Sequence, residues 1–195
     1  MNKQITMGLI IGNRGFLPDH LAKKGRQEMI PAVQRAGMQY AVGGPDESKY
    51  GCEETRSEAK AGAALFQSRR QPIDGVNVSL PIFGDEKAVA EPLLMATLNV
   101  PVLVQATPDT PDQLLIAIRR NSFCGKFSVC NNMKHYRIPY SLTCLHMASP
   151  DSDSFQADLQ WFAGVCRVVK GWFVNTSATI MRIGPTMDGG RTHPN

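Results

Sequence analysis

Side chains with useful chemistry gather where apolar runs end. Ile5 to Ile11 closes in Gly12-Asn13-Arg14-Gly15, a turn whose glycines permit close approach and whose Arg14 carries a planar fork able to grip hydroxyls or a carboxylate. The same four residues equally describe a tight turn with a solvated arginine. Asp85 and Asp109 follow two further β-branched runs, where carboxylates together with the Gln105 amide and Asn13 would hold a polyol. Each aspartate also has a purely structural use: Asp85 caps the helix after it, and Asp109 closes an Asx turn around Pro108. Neither is assigned as a base, because a base needs a reactive partner within reach.

Other chemistries lack their residues. There is no GxGxxG after the first run and no GxxxxGK followed by Ser or Thr. Five cysteines (Cys52, Cys124, Cys130, Cys144, Cys166) are an odd number with no CxxC, which argues against a disulfide framework or a zinc ribbon. Cys144 and His146 share one side of an expected strand, but no further ligand falls at zinc spacing, so no metal site is assigned. No residue is assigned as catalytic.

The elements that must position these residues alternate. Apolar runs at Ile5 to Ile11, Met38 to Val42, Ile73 to Leu80, Pro101 to Gln105 and Tyr140 to Leu145 read as strands separated by helical patterns. Helices are expected from Pro18 to Ala36, from Thr55 through a Thr55/Glu58 capping box, from Glu86 to Leu98 and from Lys126 to Tyr136. A further one is expected after Thr110-Pro111, with Leu114, Leu115 and Ile118 facing inward. Pro31 predicts a kink or two shorter pieces. From Asp151 on, Phe155, Leu159, Phe162, Cys166 and Val169 are spaced four-three-four-three on one face. The expectation is an α/β fold of three layers, a mainly parallel five-stranded sheet of flavodoxin or Rossmann-like type in order 2-1-3-4-5, with an irregular C-terminal tail.

Composition narrows the setting. With 43% hydrophobic residues in 195, the chain suffices for one sizeable core. A net charge of +4, from 21 basic and 17 acidic residues without long runs, reads as a solvated surface, so neither nucleic acid nor membrane is expected as a partner. The pairs Arg69-Arg70 and Arg119-Arg120 sit near expected helix ends, where cations complement the dipole. The short apolar run at the N-terminus fits neither a signal sequence nor a bilayer span, and a cytoplasmic location is the default.

The central stretch carries a resemblance. Val100 to Pro111 (VPVLVQATPDTP), Asn121 to Lys126 (NSFCGK), Ser128 to Asn132 (SVCNN) and Gly8 to His20 (GLIIGNRGFLPDH) resemble the N-terminal region of L-fucose isomerase-like proteins, over roughly residues 5 to 170. The resemblance implies an aldose-ketose isomerase of carbohydrate metabolism, a sugar substrate and a homo-oligomer. It also implies Mn²⁺ held by a glutamate, an aspartate and a histidine of later domains, none of which can be matched here. The chain would then be inactive alone, its N-terminal domain contributing oligomer contacts and the rim of a neighbouring active site. A sugar-binding module or an oligomerisation domain without catalysis are the alternatives. Residues 1-171 are taken as that domain and 172-195 as an irregular tail. Near Lys170 both the resemblance and the hydrophobic period end, and a shifted reading frame or truncation is the expectation there.

Overall fold

A computed structural model describes residues 4–45, 47–68 and 73–174. Five strands, β1 (Thr6–Ile11), β2 (Gln39–Ala41), β3 (Gly75–Leu80), β4 (Val102–Ala106) and β5 (Ser141–Leu142), form one sheet in the order β2-β1-β3-β4-β5. Every pairing is parallel. The helices are α1 (Asp19–Arg35), α2 (Arg56–Ser68), α3 (Glu86–Ala96), α4 (Ser122–His135) and α5 (Asp153–Val174).

Alternation along the strands builds two cores. Met7, Leu9 and Ile11 of β1 point to one face, where they pack with Met29 and Val33 of α1 and with Phe155, Leu159 and Phe162 of α5. Ile10, Val76, Val78, Val102 and Val104 point to the other, against Phe66 of α2, Val89 of α3 and Val129 of α4. The sheet is therefore covered on both sides, which is why its central strands are buried along their whole length. The expected α/β three-layer architecture and strand order are those observed.

Several local expectations are corrected. No helix follows Thr110: Thr110 to Arg119 makes separate turns, closed by Gln113 N–H to Thr110 O (2.9 Å) and Ile118 N–H to Leu115 O (2.9 Å). Leu114, Leu115 and Ile116 are exposed there, since no neighbouring element offers them an apolar face. Arg120 consequently does not complement a helix dipole; it is buried, and its guanidinium donates to Pro81 O at 3.0 Å. Arg69 and Arg70 lie outside the described residues.

Helix α4 starts four residues before the expected Lys126, because Ser122 donates its hydroxyl to Thr107 O and so fixes the first turn. The last strand is shorter than expected. Asp158 of α5 takes the Cys144 N–H at 3.1 and 3.2 Å, drawing the chain out of the ladder. Helix α1 runs through Pro31 unbroken, and both Pro31 and Gln27, whose carbonyl the missing N–H would have bonded, lie on the exposed side of the helix. Helix α5 continues to Val174; of the tail expected from 172 on, residues 175–195 lie outside the described residues.

Candidate functional site

The loops after β1, β3 and β4 meet at the carboxyl end of the sheet. Two glycines make the closest join. A Cβ on Gly12 would lie 2.8 Å from Leu80 Cδ2 and 3.2 Å from Gly84 Cα, and one on Gly84 would lie 3.0 Å from Gly12 Cα. The Asp85 N–H donates to Asn13 O at 2.8 Å, which fixes the β1 loop against the β3 loop.

Arg14 stands on that join. Its guanidinium pairs with Glu86 at 3.1 Å and lies over the rings of Phe83 (4.8 Å) and Phe16 (5.3 Å). Asn13 is fully buried; it donates Nδ2 to Glu54 at 2.8 Å, and its Oδ1 has no partner among the described residues. Asp85 accepts the N–H groups of Lys87 (3.1 Å) and Ala88 (2.9 Å), so it caps α3.

Gln105 and Asp109 lie further along. Gln105 is buried on the α1/α5 face, where its Oε1 accepts from Ser79 (2.8 Å) and its Nε2 donates to Ala148 O (2.6 Å) and Thr107 (3.2 Å). Asp109 accepts the backbone N–H groups of Arg120 (2.6 Å) and Asn121 (3.2 Å). Arg120 in turn accepts the Phe83 N–H at 2.9 Å, which ties the long loop after β4 to the loop after β3. Asn13, Arg14 and Asp85 thus share one loop cluster and Asp109 joins it through Arg120, while Gln105 holds the sheet beneath.

Sequence reasoning missed an acidic group in the same region. Glu53 bridges onto the end of β1: its N–H donates to Ile11 O (2.7 Å) and its O accepts from Asn13 (2.8 Å). Its side chain is buried against Gly62, and burial, with Glu58 and Glu47 adding repulsion, pushes its carboxyl up to about 8. The signal was faint, since Glu53-Glu54 reads as two solvated acids in a loop. Glu86 was legible only as a first-turn acid, and its service to Arg14 depends on the β1 loop lying alongside.

The remaining chemistry is subdued. Burial raises the thiols of Cys52 and Cys166 to about 12, which makes them packing groups, as the stripe containing Cys166 indicated. Among the described residues no group of three or more His, Cys, Asp or Glu side chains is placed to hold a metal ion. No described helix is long and apolar enough to cross a membrane. A cavity of about 500 Å³ lies at the opposite end of the sheet, between Leu98, Val100, Tyr136 and Ile138.

Residues 8–172 match the family model of the fucose/sulfoquinovose isomerase N-terminal domain. The chain belongs to this family. No curated protein and no solved structure matches it. The matched span takes in the whole sheet except the first two residues of β1, and it includes all the loops described above.

Proposed function

We propose that the chain is the N-terminal domain of an aldose-ketose isomerase and lends its strand-end loops to sugar binding, while the metal-dependent step belongs to residues elsewhere. The family match across 8–172 is the observation that carries this reading. A ketol shift moves a proton between two carbons and develops an ene-diolate, which needs electrophilic stabilisation that Mn²⁺ would supply. Arg14 is the side chain suited to meet a sugar hydroxyl, being partly exposed and held by Glu86 and Phe83. Asn13, Asp85 and Asp109 serve it by fixing the loops, and Gln105 by holding the strands beneath them.

Two measurements test this. With Mn²⁺ and L-fucose or D-arabinose, the purified chain forms no ketose above a metal-only blank; clear turnover overturns the assignment of the metal step to other residues. Amide resonances titrated with L-fucose shift at 12–16 and 81–86; sugar-induced shifts elsewhere, or none, overturn the assignment of these loops. A second reading, an oligomerisation domain, is favoured by the run Leu114, Leu115 and Ile116, exposed at 61%, 75% and 69%. Leu115→Asp would then lower the sedimentation coefficient.

A further inference from the structure

Between α4 and the β5 edge lies a pocket of about 330 Å³, walled by Phe123, Phe127, Tyr140, Leu142 and His146, with Lys126 in its lining. Lys126 is 4% exposed, and among the described residues no carboxylate forms an ion pair with it. Asp158, the acid nearest in role, has its carboxylate engaged by the Cys144 N–H. Lys126 Nζ donates to Thr143 Oγ1 at 3.0 Å and to His146 O at 2.8 Å. Both acceptors are neutral oxygens. Two donated hydrogens are all that an uncharged amine possesses, which leaves its lone pair unused. Burial lowers the Lys126 pKa against the opposing pull of Cys130 and Asp158, and the neutral amine can keep both hydrogen bonds.

A lysine desolvated beside aromatic rings is a nucleophile toward carbonyl carbon. We propose that Lys126 captures small aromatic aldehydes in this pocket as an imine, a reactivity separate from the sugar-facing loops. The Nζ lone pair attacks the aldehyde carbon, a proton passes from nitrogen to the former carbonyl oxygen, and loss of water leaves the C=N bond. No oxidant or reductant enters. Both amine hydrogens leave with the water, and a proton taken up from solvent gives the iminium one N–H to donate to His146 O, while Thr143 Oγ1 retains its bond to Leu145 O at 2.7 Å. The aromatic ring of the aldehyde takes the space lined by Phe127 and Leu142, both of which are exposed.

Benzaldehyde with sodium cyanoborohydride at neutral pH, followed by peptide mass spectrometry, tests this on the intact chain. Benzylation at Lys126 should saturate with aldehyde concentration, whereas the exposed Lys60 and Lys87 respond linearly and more slowly. Benzyl alcohol, which cannot react, should protect Lys126 while leaving Lys60 and Lys87, which lie outside the pocket, unprotected. Leu142→Trp, filling the pocket from a half-exposed position, should abolish saturation without shifting thermal unfolding. An unmodified Lys126, or one that labels linearly and unprotected like Lys60, overturns the proposal.

Discussion

Gly12 and Gly84 meet backbone to backbone at the carboxyl end of the sheet, closely enough that a Cβ on Gly84 would stand 3.0 Å from Gly12 Cα. That contact, more than any side-chain bond, sets the distance between the β1 loop that carries Arg14 and the β3 loop that carries Glu86. Gly84→Ala must push against backbone, which cannot swing aside as a side chain can. It should cost about 1–3 kcal/mol, as overpacking does, and weaken the Arg14 contact with Glu86. Denaturant unfolding reads the first effect. Loss of salt dependence in an Arg14→Ala comparison on the Gly84→Ala background reads the second.

Asp85 separates a structural from a substrate role. Its carboxylate caps α3 through Lys87 and Ala88, so Asp85→Ala should destabilise by about 1 kcal/mol while Asp85→Ser nearly preserves stability. If the carboxylate also meets sugar, Asp85→Ser retains the fold and loses the L-fucose-induced amide shifts. Shifts that survive in the serine variant would leave the cap as its whole contribution.

Glu53 makes stability depend on pH in an unusual direction. Its folded pKa of about 8 lies above the ordinary 4.5, so between those values the folded chain binds more proton than the unfolded one. Stability contributed by this group is fully present below about 4.5 and falls as pH rises toward about 8, each unit of difference being worth about 1.4 kcal/mol. Glu53→Gln removes the titrating group and should raise the melting temperature at pH 8 relative to wild type by more than at pH 5. An equal change at both pH values would show that Glu53 is ionised in the folded chain.

The features legible in the sequence were those whose cause is local. The Thr55/Glu58 capping box is present, with Glu58 accepting the Thr55 N–H at 2.8 Å and Thr55 Oγ1 accepting the Glu58 N–H at 3.3 Å. The strand order followed from five apolar runs because buried parallel strands and crossover helices leave few arrangements. The loop from Thr110 to Arg119 was misread for the converse reason. Thr110, Pro111 and Gln113 do form a turn, but extending it into a helix requires a surface for Leu114 and Leu115, and that is a fact about the rest of the fold. At the site, Arg14 was visible as a strand-end cation, whereas Glu53 and Arg120 became informative only when Asn13 and Pro81 were brought beside them.

The same contrast yields a paired prediction on apolar side chains. Phe162 is completely buried between α5 and the sheet, close enough that a Cβ on Gly75 would sit 3.2 Å from its ring. Phe162→Ala should therefore cost about 3–5 kcal/mol, the transfer of a large ring plus the cavity it leaves. Leu115, although it sits in a pattern that reads as an inward helical face, is 75% exposed. Leu115→Ala should change the stability of the monomer by less than about 0.5 kcal/mol. Measured together by chemical denaturation, the two distinguish the loop from a helix packed on the sheet. A cost for Leu115→Ala near that of Phe162→Ala, in protein dilute enough to be monomeric, would mean that this segment docks on the core in solution.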